Sequence, residues 1–426
     1  MAGRFPGDIE LMAGSLSGGI IGLVVAVGVG LFGTQPGFGD DRLPVGATVR
    51  VSVSSTGGQA NGWSGRSSVS ADGRWVTFAS DATNLIPDDT GHHVFAYEYA
   101  TGHLVRVSAS TNAEPNPDGG RMPVISADGN RVAYRSTSNV LVPGDTDGRA
   151  DIFVRDLPTG RTTRVLPAPD QPPSPPSLDA AGRLVASGHL IADTATGRVV
   201  DVNVTPTGQP ANGRVSSLTL SGNGRFAAFW STSTDLVQEL PVVHRKVSPA
   251  TWGMFVRDLS RRTTRQALWW VDLTHRPQPT GLAMNYDGRY VAYYENGNGR
   301  ILKRDVWRDT NLLVADANQQ SAWQIPDTPS ISADGRYVAF SSEWGRDLVF
   351  PRGPSYGPVI YVKDTTTGTS QSIRPSGTGS SGTGGPVIRY PSLSADGRFL
   401  SFTTNAEGQV PGDTNYLPDV FLTRLR

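Results

Sequence analysis

The sequence contains no cysteine. Disulfides, thiolate zinc sites, iron–sulfur clusters and cysteine nucleophiles are therefore excluded. It also lacks net charge, because 38 basic side chains are balanced by 38 acidic ones. Proteins that bind nucleic acid electrostatically carry an excess of Lys and Arg, so no nucleic-acid partner is expected. Lys occurs only at Lys246, Lys303 and Lys363, which we interpret as a coding bias toward Arg.

Charge is missing from one long stretch near the amino terminus. No residue from Leu11 to Phe32 is charged, and the stretch is long enough to span a bilayer. The pattern predicts an uncleaved transmembrane signal-anchor helix over residues 11–33, with the amino terminus in the cytoplasm and the body exported. A cleaved signal peptide, giving a secreted protein, and a buried soluble helix are the alternatives. No convincing small-residue cleavage site precedes Asp40.

The predicted anchor divides the chain into four parts. They are a tail over residues 1–10, the helix over 11–33, a polar linker over 34–46 and a body over 47–426. Within the helix, small residues recur at every fourth position, at Gly14, Gly18, Gly22, Ala26 and Gly30. Such a stripe permits helix-mediated self-association, although a Gly-rich segment also produces this spacing by chance.

A short phrase recurs seven times in the body. Its full form is Ser-Ala-Asp-Gly-Arg, and the weaker copies keep the Gly and a following Arg. The copies begin at Ser70, Ser126, Asp179, Ser221, Asn285, Ser332 and Ser394. Asp-Gly between apolar runs is a strong hairpin signal, and the run after each copy is interpreted as a second strand with alternating β-branched and aromatic residues, as in Tyr337–Phe340.

Each repeat contains signals for two more strands. A third strand of the type Asp151–Asp156 is followed by a Thr-Gly turn and by a fourth strand such as Thr162–Val165. Four short strands per repeat without helical periodicity are typical of a propeller blade. The sequence therefore predicts an all-β fold, a seven-bladed β-propeller that follows one N-terminal transmembrane helix.

The two ends of the body indicate how the ring closes. The last repeat stops at Arg426 after its third strand, whereas Ala47–Val53 has the sequence of a fourth strand without the first three. We expect these terminal strands to pair in one composite blade, because closure removes exposed sheet edges.

These motifs resemble the WD-like propeller repeats of the TolB type, in which a Ser-x-Asp-Gly-Arg/Lys turn precedes an apolar strand and the third strand ends in Arg-Asp. The resemblance covers Ala47 to Arg426 and implies a propeller with a central channel that binds proteins or ligands on one face. Repeats 3 and 4 depart from the pattern at the Asp-Gly turn. Repeats 3 and 5 are also the weakest copies, so a six-bladed or irregular ring is the alternative.

The connections differ in length between the two ends of the blades. Those after the first and third strands are minimal, whereas the others include long segments at Asp235–Trp252, Trp344–Pro358 and Ser376–Pro386. Because function concentrates on variable loops carried by a rigid frame, we expect the long-loop face to be the interaction face.

Two of the connections on this face place oxygen side chains at relative positions 1, 3 and 7. Calcium prefers six to eight oxygen ligands, so the sequence offers calcium candidates, although neither loop has the Glu of an EF-hand. The alternative is that these side chains form Asx turns. The candidates are Asp145, Asp147 and Asp151 in the first loop and Asp413, Asn415 and Asp419 in the second.

No enzyme signature is found, so no catalytic or cofactor-binding residue is predicted. The Gly-rich run Gly377–Gly382 lacks the helix that a dinucleotide site needs. His92 and His93 are expected in a solvated loop rather than at a metal. The Trp residues near strand ends, among them Trp252 and Trp307, are expected to pack between blades, with sugar stacking by an exposed subset as the alternative.

The favoured function is a non-catalytic scaffold, anchored in the cell membrane, that binds a protein or cell-envelope ligand. The alternative is an exported carbohydrate-active hydrolase or lyase with carboxylates at the channel mouth. No cofactor is required under the first hypothesis, with calcium as an option.

Overall fold

A computed structural model describes the body of the chain in ten segments. They are residues 43–87, 91–110, 119–168, 175–238, 252–269, 281–295, 299–316, 328–342, 358–375 and 386–426. The predicted anchor, residues 11–33, lies outside them. Among the described residues, no helix is long and apolar enough to cross a membrane.

The described strands form seven antiparallel sheets of four strands each, and in six of these sheets the hydrogen-bonded neighbours are consecutive in the chain. Blade 1 consists of β2 (Ser64–Val69), β3 (Trp75–Ser80), β4 (His93–Glu98) and β5 (His103–Arg106), and blade 2 consists of β6 (Arg121–Ile125), β7 (Arg131–Ser136), β8 (Asp151–Asp156) and β9 (Arg161–Pro167). Blade 3 consists of β10 (Ser177–Leu178), β11 (Leu184–Ser187), β12 (Leu190–Asp193) and β13 (Val199–Asp201). Blade 4 consists of β14 (Val215–Leu220), β15 (Phe226–Ser231), β16 (Gly253–Asp258) and β17 (Thr263–Trp269).

The remaining sheets, blades 5 to 7, follow the same plan. Blade 5 consists of β18 (Leu282–Met284), β19 (Tyr290–Glu295), β20 (Arg300–Asp305) and β21 (Thr310–Asp316). Blade 6 consists of β22 (Ser330–Ile331), β23 (Tyr337–Ser342), β24 (Val359–Asp364) and β25 (Ser370–Ile373). Blade 7 consists of β26 (Ile388–Leu393), β27 (Phe399–Thr404), β28 (Asp419–Arg424) and β1 (Thr48–Arg50). The fold is a seven-bladed β-propeller, and blades 3 and 5 are complete blades.

The composite blade predicted from the chain ends is confirmed. β1 pairs antiparallel with β28, with Val49 opposite Leu422, and the N–H of Val51 donates to the carbonyl of Val420 at 2.8 Å. The fourth strand of blade 7 therefore comes from the start of the body, and backbone hydrogen bonds hold the two ends together.

The hydrophobic core is divided among the junctions between blades. Seven clusters of buried apolar side chains are present among the described residues, and each joins two adjacent blades. Between blades 4 and 5, for example, Trp230 and Trp252 pack with Met254 and Tyr293. This agrees with the expectation for Trp252, whereas Trp307 is 52% exposed.

The repeated phrase forms the turn between the first and second strands of each blade. In blade 6, Ser332 Oγ donates to Asp334 Oδ1 at 2.5 Å and accepts the N–H of Tyr337 at 2.9 Å. Asp334 Oδ1 also accepts the N–H of Arg336 at 2.9 Å. The Ser and Asp thus satisfy the backbone of the turn, which explains why these residue types recur.

The same turn joins each blade to its neighbours. The N–H of Ala333 donates to the carbonyl of Ala395 in blade 7 at 2.8 Å. Gly335 has a φ of +74°, and a Cβ there would lie 2.4 Å from the ring of Tyr290 in blade 5. The Gly is therefore required twice, by the left-handed backbone and by the close approach of the preceding blade.

An ion pair ties the turn to the end of the third strand. Arg336 Nη2 lies 2.7 Å from Asp364 Oδ2. This hydrogen bond holds the pKa of Asp364 well below its usual range, against the smaller opposing effect of burial. Equivalent pairs in five other blades are Arg74–Glu98, Arg131–Asp156, Arg183–Asp193, Arg225–Asp258 and Arg289–Asp305.

Replacing Gly335 with Ala should test the turn as a junction. We expect Gly335→Ala to lower the free energy of unfolding by about 2–4 kcal/mol, because it adds a clash with Tyr290 to the left-handed strain. Gly368 is the matched control, since its φ is +77° but a Cβ there meets nothing within 4 Å. Gly368→Ala should cost about 1–2 kcal/mol. Equal losses in denaturant titrations would contradict the junction role.

Candidate functional site

The two calcium-candidate loops both lie between the second and third strands of a blade. The first joins β7 to β8 in blade 2, and the second joins β27 to β28 in blade 7. Since strands alternate in direction, these loops leave from the end of the ring opposite the Ser-x-Asp-Gly turns. The long connections predicted to bind a partner leave from the same end, but most of their residues lie outside the described segments.

The fold brings the three carboxylates of the first loop together. One oxygen each of Asp145, Asp147 and Asp151 lies within 4.8 Å of the others. The guanidinium of Arg164 lies among them, with Nη1 3.2 Å from Asp145 Oδ1 and Nη2 3.2 Å from Asp147 Oδ2. Its Nε lies 2.9 Å from Asp151 Oδ2. One arginine therefore supplies positive charge to all three acids.

In the second loop, two of the three candidate side chains, the carboxylates of Asp413 and Asp419, share one arginine. Arg50 Nη1 lies 3.6 Å from Asp413 Oδ1 and 3.8 Å from Asp419 Oδ2. Gln59 Nε2 donates to both acids, at 3.1 and 2.9 Å. Ser52 Oγ donates to Asp419 Oδ1 at 2.5 Å. This network also joins the first segment of the body to its last strand.

Asn415 is used differently from the acids in its loop. Its Nδ2 donates to the carbonyl of Ala60 at 2.7 Å, and its Oδ1 accepts the N–H of Leu417 at 3.1 Å. Asp147 Oδ1 accepts the N–H of Arg149 at 2.9 Å in the same local pattern. Both loops thus contain Asx-type turns, the alternative that the sequence left open. Calcium binding stays a prediction.

The arginines were missed by sequence reasoning, although a signal was present. Arg164 lies opposite Phe153 on the fourth strand of blade 2, and Arg50 lies opposite Phe421 at the equivalent place in blade 7. In both blades the third strand begins with Asp two residues before that Phe. An Asp that opens the third strand together with an Arg in the fourth would have predicted the clusters.

Burial controls the titration of these acids. Burial raises the pKa of Asp151, while the nearby Arg164 opposes the rise. Burial raises the pKa of Asp419 to about 6, and the hydrogen bonds from Ser52 and Gln59 only partly counteract it. Both carboxyl groups are 1% exposed, so each pays a desolvation penalty when it is ionised.

The prediction for the histidine pair was wrong. His92 and His93 are 7% and 1% exposed. β4 begins at His93, so the pair lies at the start of a buried strand of blade 1. His92 Nδ1 hydrogen-bonds to Asp81, and its ring stacks on Trp63 with centroids 5.7 Å apart. The pair therefore packs in the blade rather than in solvent.

Comparison with known proteins supports the fold. No family model and no curated protein matches the chain. Among solved structures, oligogalacturonate lyase from Vibrio parahaemolyticus is similar with a TM-score of 0.53 and 13% identity, covering 90% of this chain and 96% of the lyase. An oligogalacturonate lyase in complex with manganese has a TM-score of 0.52 and 15% identity, covering 90% of this chain and 98% of that one.

TolB from Acinetobacter baumannii is also among the similar structures, with a TM-score of 0.40 and 12% identity over 79% of this chain and 77% of TolB. The chain shares its fold with the two oligogalacturonate lyases, whose TM-scores exceed 0.5. At such low identity the likeness concerns the fold alone, and function has to be argued from this chain's own residues.

The Arg164 cluster allows a direct test of calcium against arginine. In the wild type, we expect calcium in place of chelator to leave the melting temperature nearly unchanged, because the Arg164 guanidinium already contacts all three carboxylates. In Arg164→Gln, the three acids lose that charge, so the protein should be destabilised by about 3 kcal/mol and calcium should recover part of the loss. A clear calcium-dependent rise in the wild type would instead support the calcium prediction.

Asp419 should make stability depend on pH. Its folded pKa of about 6 exceeds the unfolded value of about 3.9, so the folded state binds the proton first as pH falls. The free energy of unfolding should therefore gain up to about 3 kcal/mol from this group between pH 7 and 4. Asp419→Asn should remove the gain, whereas Asp147→Asn, at an exposed position, should keep it. Denaturant titrations across this range measure both, and an unchanged pH slope in Asp419→Asn would refute the assignment.

Proposed function

We propose that the chain is a membrane-anchored, extracytoplasmic propeller that acts as a non-catalytic binding scaffold through the face from which its long connections leave. The observation that carries the proposal is the pair of arginine–carboxylate clusters at Arg164 and Arg50. Each ties a loop of this face to the outer strand of its blade. A loop surface that is already ordered before a ligand binds loses less conformational entropy on binding than a mobile surface does.

The connection lengths agree with this assignment. Residues 232–252 separate β15 from β16, and residues 343–358 separate β23 from β24, all on the cluster face. At the opposite end, four residues join β16 to β17 and five join β24 to β25. A rigid frame with long loops at one end and tight turns at the other favours recognition by the loops.

The location of the body is part of the proposal. The uncharged stretch from Leu11 to Phe32 supports an anchor with the propeller outside the cytoplasm, and the absence of cysteine is compatible with either side of the membrane. The small-residue stripe in the same stretch supports self-association of the anchor as a further proposal. The enzyme alternative rests on no observed site, since the lyase likeness concerns the fold.

Loop replacement in the full-length protein tests the scaffold. In cells, residues 239–251, 343–357 and 376–385 are replaced with Gly/Ser segments, and crosslinked partners are captured. We expect partners of the wild type to be lost from this variant at an unchanged melting temperature. The matched control replaces Pro158 and Thr159 on the short-turn face and should keep them.

Retention of all partners by the loop variant would overturn the binding face. Capture by the wild type but not by the body from Ala47 would assign the partner to the anchor instead. Turnover of acidic or neutral polysaccharides by the wild type would support the hydrolase or lyase alternative.

A further inference from the structure

A pocket of about 570 Å³ lies on the short-turn face, between blades 4 and 5. Its walls come from the first turn of blade 4, from the third turns of both blades and from β17. The pocket is therefore on the face opposite the arginine–carboxylate clusters, and nothing in the proposed function uses it.

The third turns at this pocket depart from the pattern of the other blades. Blades 1, 2, 3 and 6 have Thr-Gly there, with the Gly at φ values of +69° to +77°. Blade 4 has Arg261-Arg262 and blade 5 has Arg308-Asp309, and Arg262 and Asp309 adopt φ values of +57° and +61° without being Gly. Blades 4 and 5 therefore replace the Thr-Gly pair with charged residues, and Arg261 of blade 4 lines the pocket.

The charged groups in the pocket fall into two sets. Arg225 is engaged, because its Nη2 lies 2.8 Å from Asp258 Oδ2. Burial raises the pKa of the Asp258 carboxyl, but hydrogen bonds from Arg225, Ser260 and the backbone of Arg261 together outweigh it and hold that pKa well below its usual range. Arg261 and Arg265 also line the pocket and are exposed. Neither guanidinium makes a hydrogen bond or ion pair with a described residue. Burial of part of the Arg265 side chain lowers its pKa, which the nearby acids only partly offset.

Two guanidinium groups that make no hydrogen bond or ion pair with a described residue favour a carboxylate ligand at this pocket, since arginine binds carboxylates through paired donors. The rest of the lining adds features that a bare anion would not need. Thr263 supplies a hydroxyl, and Asp287 has one carboxylate oxygen that accepts no hydrogen bond from the described residues. The carboxylate of Asp287 would repel a second anion but accepts hydrogen bonds from hydroxyl groups.

An aromatic wall completes the pocket. Phe226 and Trp307 line it, and Trp307 is 52% exposed although its indole is large and apolar. The guanidinium carbon of Arg289 lies over the Trp307 ring, 5.7 Å from its centroid. An exposed aromatic ring beside mixed donors and acceptors suits a ligand with a ring-shaped body and hydroxyl groups.

We propose that this pocket binds a small hydroxylated ring carrying one carboxylate, a sugar acid. Arg261 and Arg265 bind the carboxylate, Thr263 and Asp287 bind hydroxyl groups, and Trp307 packs on the ring. The proposal is independent of the scaffold function, because it concerns the other face of the propeller.

Calorimetric titration of the full-length protein tests the pocket, with D-glucuronate as the probe. D-glucose has the ring and hydroxyl groups without the carboxylate, and inorganic phosphate has charge without a ring. We expect glucuronate to bind at least about tenfold more tightly than either. No binding of glucuronate, or equal binding of glucose or phosphate, would overturn the assignment.

Variants locate the binding site. Arg261→Gln with Arg265→Gln should weaken glucuronate binding at least about tenfold, and Trp307→Ala should weaken it about threefold or more. Arg198, an exposed arginine at the third turn of blade 3, is the matched control, and Arg198→Gln should bind as the wild type does. All three changes are at exposed positions, so melting temperatures should stay close to that of the wild type. Wild-type affinity in the double arginine variant would refute the pocket.

Discussion

The structure depends on one junction, the Ser-x-Asp-Gly turn between the first two strands of each blade. Its Gly approaches the side chain that opens the second strand of the preceding blade, as Gly335 approaches Tyr290. A backbone N–H of the turn reaches the following blade, as Ala333 reaches Ala395. Because a single turn contacts blades on both sides, the same few residues specify both the hairpin and the ring. The core follows from this arrangement, since each of the seven apolar clusters among the described residues lies where two blades meet.

Closure places a special demand on blade 7. β1 and β28 come from opposite ends of the body, so their pairing closes a loop that contains nearly the whole ring. The contacts of this one strand pair must therefore offset the entropy cost of closing that loop. The buried network around Asp419 strengthens this pair through Ser52 and Gln59. Burial also raises the pKa of the Asp419 carboxyl to about 6. Stability of the closure and its response to pH therefore reside in the same few side chains.

The two faces of the propeller use arginine in different ways. On the long-connection face, Arg164 and Arg50 form ion pairs with carboxylates of their own blades and hold the loops against the outer strands. On the short-turn face, six blades use an arginine to tie the first turn to the third strand, whereas Arg261 and Arg265 have no such partner among the described residues. An arginine paired within the fold contributes to the frame, and an unpaired one beside a pocket is available to a ligand. Counting charges, which gives zero for the chain, hides this difference.

The sequence by itself determined the seven blades, the four-strand plan and the composite blade, because each depends on local turn chemistry that repeats along the chain. It also identified Asp145, Asp147 and Asp151 as a group, since their spacing within one loop brings them together. Only the tertiary structure decided which positive charge they contact, because Arg164 comes from a strand that follows in the chain and reaches the loop through sheet pairing. The same holds for the pocket between blades 4 and 5. Its residues are far apart in sequence, and they become one site only through the packing of two neighbouring blades.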